Sequence, residues 1–430
     1  MKRKLTESLL KWKAQTDNRL PMLIYGTRQV GKTYAVLEFG RTHFVNVLYV
    51  NFEQEAGLTP YFDGDISPKR VISVLEQYYQ TKVNPVETLL FFDEIQVCER
   101  ALTSLKYFAE NGPEYSVIAA GSLLGVAVNR SRFSFPVGKV QMITLHPLDF
   151  EEFLWAKGKT LLAEEIRHCC MENLALNEQL HKEALIEYRE YLVVGGMPAA
   201  VRASMEPQSF MTDLEVRRTI LNAYTADMSK YASPSESVKI RSAYESIPTQ
   251  LAKENSKFQY KMVRSGGRAS LYGDSIDWLI SSGVVLKCVK CEHGFMPPIA
   301  YQDLSSFKLY LSDVGLLSAQ SGITLKSLAG SELNQFSGAL TENYVAGALV
   351  AKGFDLAYWE SKSKAEVDFL IVLHGSVVPV EVKAAENNRS RSLSVYMERY
   401  KPQMAVRISS KNFGFENGIK SVPLYAVFAL

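Results

Sequence analysis

The sequence predicts an α/β protein of several domains, opening on a mainly parallel sheet and closing on a second, smaller α/β unit. Short apolar strands alternate with helical stretches over the first third, the pattern of a parallel sheet with crossover helices. A glycine-rich turn, "GTRQVGKT" (Gly26–Thr33), joins the first of those strands to its helix. Near the other end, "AEVDFLIVLHGSVVPVEVKAA" (Ala365–Ala385) alternates apolar and polar positions around "HGS", as an antiparallel hairpin does.

A chain of 430 residues exceeds one ordinary core, so roughly two to four domains are expected. With 47% hydrophobic and 22% charged residues it has a globular composition. Its 48 basic and 46 acidic residues leave a net charge of only +2. Any nucleic-acid surface must therefore be a local patch. No apolar run reaches the roughly 18 residues of a membrane helix. The start, "MKRKLTESLLKWK", is basic and interrupted by Thr6, Glu7 and Ser8; it reads as an amphipathic helix rather than a signal peptide. Five cysteines, an odd number without a signal sequence, point to reduced thiols and the cytoplasm. "CVKC" (Cys288–Cys291) with His293 nearby lacks a second ligand pair, so two thiols in a short strand are expected rather than zinc.

The strand "PMLIYG" runs into the glycine-rich turn, and "YAVLEFG" continues it as a helix. All fixed positions of G-x-x-x-x-G-K-[ST] are met. In such a phosphate-binding loop the backbone of Gly26, Thr27, Arg28, Gln29, Val30 and Gly31 would wrap the β-phosphate at a helix N-terminus. Lys32 would reach the β- and γ-phosphates of ATP, and Thr33 would ligate Mg²⁺. A second strand is expected at "FVNVLYVNFE". A third, "TLLFFDEIQ", ends in adjacent acids about sixty residues downstream of the loop. Asp93 would hold the Mg²⁺ shell and Glu94 would polarise the attacking water, which points to hydrolysis rather than binding alone. The fourth strand, "YSVIAAGS", delivers Ser122 where a γ-phosphate sensor would sit. The fifth is "VQMITLHPL". Between the last two, Arg130, Arg132 and Lys139 are candidates for an arginine finger toward a neighbouring copy, which would make the protein a homo-oligomer; a plain basic loop is the alternative.

From about Pro147 to Asn255 the pattern turns helical and charged, broken at Gly195–Gly196 and Pro198. It suits a helical lid, with Arg217, Arg218 and Asp227 on a solvated face or in local ion pairs. Next comes a helix, turn, helix, strand order leading to the strand "FKLYLSD", which suggests a winged helix with Leu271, Ile276 and Ile280 inward. Lys261, Arg264, Arg268, Lys287 and Lys290 give it a cationic surface suited to nucleic-acid phosphates. A winged helix that only docks proteins fits the same pattern.

Strand alternation puts Glu366 and Asp368 on one face of the closing hairpin, and Glu381 and Lys383 on one face of its second strand. Twelve residues separate Asp368 from Glu381. This D-x₁₂-E-x-K spacing resembles the PD-(D/E)xK nuclease core. The resemblance implies that Asp368 and Glu381 bind Mg²⁺, that Lys383 orients or activates water, and that Glu342 in "GALTENYVAGALVAKG" adds an acid. The blander alternative is a hairpin whose solvated charges pair for little gain.

Taken together, "YGTRQVGKT", "LLFFDEIQ", "AAGSLLG", "LHPLDFEEFL", "YLVVGGMPAAV" and "AEVDF…PVEVK" resemble the prokaryotic AAA-type ATPases, allied to archaeal and signal-transducing NTPases, that carry a C-terminal domain of unknown function. The resemblance implies ATP binding and hydrolysis. Where such proteins often have Gly-Arg before the fifth strand, this chain has Gly138–Lys139, a charge without the bidentate fork. The expected organisation is a P-loop AAA-type domain over 1–150, a helical lid over 151–254, a winged-helix-like module over 255–325 and a restriction-endonuclease-like α/β domain over 330–430. The expected function is a cytoplasmic, Mg²⁺-dependent ATPase coupled to a nuclease-like module, with nucleic acid a candidate partner of the C-terminal half. The rival is a nucleotide-gated protein-interaction switch with non-catalytic C-terminal domains.

Overall fold

The computed structural model describes residues 1–15, 18–122, 135–206, 211–230, 232–253, 256–328, 334–361, 365–384 and 391–430. They divide into two compact units. One comprises Lys2–His146 with Ser281–Gly283; the other comprises Pro147–Ile280 with Val284–Leu430.

The first unit opens on the helix Leu5–Lys13, which buries Leu5, Leu9 and Trp12, one stripe at helical spacing. Five strands follow: β1 (Met22–Tyr25), β2 (Asn46–Asn51), β3 (Thr88–Asp93), β4 (Ser116–Ala120) and β5 (Gln141–Thr144). They lie in the order β2-β3-β4-β1-β5, with every pairing parallel. All residues of β3 and β4 are buried, which is why both read as unbroken apolar runs: helices cover both faces of such strands. Phe52, Phe92 and Phe108 meet edge to face in this core. β4 lies between the strand that feeds the glycine-rich turn and the strand that ends in Asp93.

The second unit begins with the helices Phe150–Ala156, Thr160–Glu172, Glu178–Val194, Pro198–Met205, Asp213–Lys230 and Pro234–Leu251. Asp149 and Glu152 cap the first of these reciprocally, and Ser233 and Glu236 cap the last, each closing two otherwise orphaned amides. The break at Gly195–Gly196 has a steric cause. A Cβ on Gly196 would lie 2.0 Å from the Leu148 carbonyl oxygen, and one on Gly195 would lie 2.3 Å from Asp313 Oδ1. Arg217 is not on a solvated face: it is buried, pairing with Asp213 at 2.6 Å and donating to the Gly315 carbonyl at 3.1 Å. Asp227 is buried too.

The helix Ala269–Ser281 buries Tyr272, Ser275, Ile276, Trp278 and Leu279, while Leu271 is exposed and Ile280 is half-buried. Of the three inward residues expected, only Ile276 is fully buried; Tyr272 and Leu279 take the other places, one position along from Leu271 and back from Ile280. The strands after this helix, β6 (Val285–Cys291) and β7 (Gln302–Leu311), form an antiparallel pair. They are not a separate wing. β6 pairs in parallel with β8 (Ala357–Glu360), and with β9 (Glu366–Leu373), β10 (Ser376–Val382), β11 (Ala405–Ser409), β12 (Gly414–Glu416) and β13 (Ile419–Pro423) they build one eight-stranded sheet. Its order is β12-β13-β11-β10-β9-β8-β6-β7.

Within it, the chain order from residue 334 is a helix (Asn334–Ala351), the antiparallel run β8, β9, β10, a second helix (Arg391–Tyr400), and β11 parallel to β10. His374 and Gly375, at φ 48° and 76°, make the two-residue turn of the hairpin, as paired positive φ values allow. Cys288 and Cys291 are buried thiols on β6. Among the described residues no group of three or more His, Cys, Asp or Glu is arranged to hold a metal ion.

Candidate functional site

The glycine-rich turn connects β1 to the helix Lys32–His43. Three residues adopt positive φ: Gly26 at 145°, Gln29 at 67° and Gly31 at 90°. Gly26 is obligatory for a second reason, since a Cβ there would lie 2.2 Å from the Leu145 carbonyl oxygen. Arg3, from the N-terminal segment, donates to the Val30 carbonyl at 2.9 Å and to the His146 carbonyl at 2.6 Å, tying the turn to the end of β5. Sequence reasoning saw only the basic stretch "MKRK" here. Arg28 faces outward and pairs with Glu53 at 3.4 Å.

Lys32 is buried and folds back over the turn. Its Nζ donates to the Gly26 carbonyl at 2.8 Å and to the Thr27 carbonyl at 2.9 Å. Burial lowers its pKa to about 8, against the opposing pull of Glu94 and Asp93. Thr33 Oγ1 donates to Asp93 Oδ2 at 2.7 Å, and Tyr49 donates to the same oxygen at 3.1 Å. Burial holds the Asp93 carboxyl above its ordinary value despite those bonds. Asn51 stands opposite Asp93 in the β2–β3 register and donates to the Tyr49 hydroxyl at 3.0 Å. Tyr49 and Asn51 were not singled out from sequence; their signal is two polar groups at alternate positions of an apolar strand.

Glu94 sits at φ 48°, just past the strand. Gln96 Nε2 and Ser122 Oγ both donate to its Oε2, the latter at 3.0 Å. Ser122 thus reaches the same carboxylate that was expected to polarise water. Of the arginine-finger candidates, Lys139 pairs with Glu110 at 3.1 Å, while Arg130 and Arg132 lie outside the described residues.

These groups suit a Mg²⁺–nucleotide. A hydroxyl and a carboxylate, both hard oxygen donors, converge within one hydrogen bond of each other beside the lysine. The buried Thr27 Oγ1 finds no partner among the described residues, although it lies in the turn where phosphate oxygens would be.

The second expected site behaves differently. Glu381 is buried rather than solvated, so the bland hairpin with a wet charged face does not describe it. Lys383 Nζ lies 2.6 Å from Glu381 Oε1, and Asp368 Oδ2 accepts the Val382 amide at 2.7 Å. Burial, then Glu342 and Glu381, hold the Asp368 carboxyl well above the usual range. Sequence reasoning missed the cation in their midst. Lys308, fully buried on β7, lies 2.8 Å from Glu342 Oε1 and 2.6 Å from Glu366 Oε1. Burial pulls its pKa down, but Glu342, Glu366 and Asp368 outweigh that and raise it. Tyr310 also donates to Glu342. A lysine inside the apolar run "FKLYL" was the available signal, because a buried ammonium needs acids around it. Lys308 thus bridges two carboxylates and Lys383 holds a third.

The expected cationic surface is partly neutralised. Lys261, Arg264 and Arg268 are exposed. Lys287 lies over the Phe307 ring at 4.6 Å, and Lys290 faces Asp303 and Glu360 at 3.8 and 3.7 Å.

Residues 18–154 match the model of a family described as an AAA domain. Residues 185–327 and 337–427 match two families described only as domains of unknown function (DUF8612 and DUF4143). No curated protein matches the chain. Among solved structures, the Aeropyrum pernix ORC2 protein in its ADPNP–ADP complexes is similar at 13% identity, over 75% of this chain and 92% of that one, with a TM-score of 0.36. ORC1 of Aeropyrum pernix in complex with DNA is 12% identical, over 74% and 91%, with a TM-score of 0.29. AMPPCP-bound DnaA from Aquifex aeolicus is 14% identical, over 65% and 87%, with a TM-score of 0.28. Overlaps this loose add nothing to the reading of the site. The match to an AAA domain falls on the first unit, and the parallel sheet with a glycine-rich turn found there agrees with an AAA-type P-loop domain. Among the described residues no helix is long and apolar enough to cross a membrane.

Proposed function

We propose that the chain is a Mg²⁺-dependent ATPase whose nucleotide state is relayed to a C-terminal module built on a nuclease-like frame. The observation that carries the reading is the bond between Thr33 Oγ1 and Asp93 Oδ2 at 2.7 Å. It brings a loop hydroxyl and a strand-end carboxylate to one point beside Lys32, the donor set that would hold a nucleotide-bound Mg²⁺. When bound, the ion would offset phosphate charge and polarise the γ-phosphoryl group.

In this reading the amides of residues 26–31 wrap the β-phosphate. Lys32 leaves the Gly26 and Thr27 carbonyls for the phosphate oxygens. Thr33 and Asp93 would hold the ion. Glu94 accepts a hydrogen bond from the attacking water and orients it, while Ser122 and Gln96 decide whether its carboxylate is free to do so. Lys32→Ala and Glu94→Gln, assayed side by side, test the assignment. The first should lose nucleotide binding; the second should keep binding and lose turnover, because an amide holds water without polarising it. Normal affinity in Lys32→Ala would mean the loop has another purpose.

For the C-terminal half, the chain order of a helix, three antiparallel strands, a helix and a parallel strand supports the nuclease-like frame. Exposed Lys261, Arg264 and Arg268 support a phosphate contact. Lys308, by contrast, favours the rival reading in which this module binds partners without cutting, since a frame is often kept after its chemistry is lost. Salt dependence separates nucleic-acid contact from protein docking: counterion release makes affinity fall steeply with salt.

A further inference from the structure

We propose that Lys308 is the resident cation of the C-terminal carboxylate pocket and, together with Lys383, engages acids that would otherwise face a divalent ion, so that the hairpin acids do not recruit Mg²⁺. The inference rests on the nuclease-like frame and deepens it. The ammonium lies 2.8 Å from Glu342 Oε1 and 2.6 Å from Glu366 Oε1, and its side chain is only 2% exposed. Two carboxylate oxygens from different elements, the helix Asn334–Ala351 and β9, therefore already converge on one positive centre. That centre comes from β7, a strand outside the helix, β8, β9, β10, helix, β11 frame.

The remaining acids are engaged as well. Asp368 accepts the Val382 amide at 2.7 Å, and Glu381 meets Lys383 at 2.6 Å. A divalent ion drawing Glu342 into its shell would meet a fixed ammonium already at ion-pair distance from that acid. It would also have to break two buried ion pairs, leaving Lys308 uncompensated away from water. Removing one partner of a buried pair is costly because the other charge has no solvent to turn to. The acids around the hairpin are thus already engaged, Glu342 and Glu366 by Lys308, Glu381 by Lys383 and Asp368 by the Val382 amide.

The experiment is a Mn²⁺ titration of the full chain followed by electron paramagnetic resonance, with Asp368→Asn and Glu381→Gln beside the parent. All three should bind the same number of Mn²⁺ ions, with affinities within about twofold. Loss of a Mn²⁺ site in either variant would overturn the proposal, because it would place an ion on the hairpin acids. A second arm uses Lys308→Met. Its melting temperature should fall, or the protein should fail to fold, and adding Glu342→Gln should recover part of the loss by removing an uncompensated carboxylate. An unchanged melting temperature in Lys308→Met would also overturn it. ATP turnover, measured on the same preparations, reports on the nucleotide site separately, so the two readings fail independently.

Discussion

Lys32 is subject to two opposed pulls. Burial lowers its pKa to about 8, and the neighbouring acids only partly restore it. Phosphate oxygens would raise that pKa again on binding. Proton linkage then sets the sign: the lysine is charged without cost below about pH 8, and above it each binding event must take up a proton. ATP affinity should be flat from pH 7 to about 8 and fall above that, by at most about tenfold per unit. Calorimetric titration between pH 7 and 9.5 checks this; affinity that rises over the range would contradict it. Ser122 offers a second test at this scale. Its bond to Glu94 restrains the carboxylate, so Ser122→Ala should change kcat more than nucleotide Kd, by single-turnover and binding measurements on one preparation. Both residues were marked in the sequence, because a glycine-rich loop and a polar residue closing an apolar strand are local patterns. The bond between Ser122 and Glu94 was not, since it links residues 28 apart in the chain.

At the scale of elements, the second unit depends on close backbone approach. Asp313 caps the helix Val314–Gln320 by accepting from Leu316 at 2.9 Å, and its other oxygen accepts from Gly196 at 2.6 Å. Burial raises its pKa to about 6, against those bonds. The folded state therefore binds this proton more tightly than the unfolded chain. The associated stability is fully present below the unfolded value near 4 and is lost as pH rises through about 6, amounting to at most about 3 kcal/mol. Denaturant unfolding at pH 4.5 and 7 should show this component, and Asp313→Asn should flatten it even if its overall stability is lower. Gly196→Ala should destabilise by about 1–3 kcal/mol or more, since the new methyl would lie 2.0 Å from a backbone oxygen; an unchanged urea midpoint would show that the turn can give way. The pair of glycines was visible in the sequence as a break in a helical pattern. Why two were needed was not, because their constraints come from Leu148 and Asp313.

For the whole molecule, the testable consequence is a salt slope. Arg264 and Arg268 are exposed, whereas Lys287 and Lys290 are engaged by Phe307 and by Asp303 and Glu360. If the C-terminal half contacts nucleic acid, Arg264→Glu with Arg268→Glu should weaken binding and flatten the dependence of log affinity on log salt by about one per lost phosphate contact. Fluorescence anisotropy with a duplex between 50 and 300 mM salt reads it, and an unchanged slope would move any contact elsewhere. The eight-stranded sheet also alters what counts as a module, since β6 and β7 continue the sheet of the closing hairpin.

The sequence by itself determined the glycine-rich loop, the parallel sheet behind it, the helical middle and the closing hairpin around "HGS". Each is encoded by periodicity or by spacing within a few tens of residues, where backbone geometry leaves few choices. Only the tertiary structure decided that Lys308 sits among Glu342 and Glu366, that Arg3 holds Val30, and that β6 and β7 join the sheet of the closing hairpin. Those are pairings between distant segments, and a charged side chain's partner depends on which surfaces the fold excludes from water.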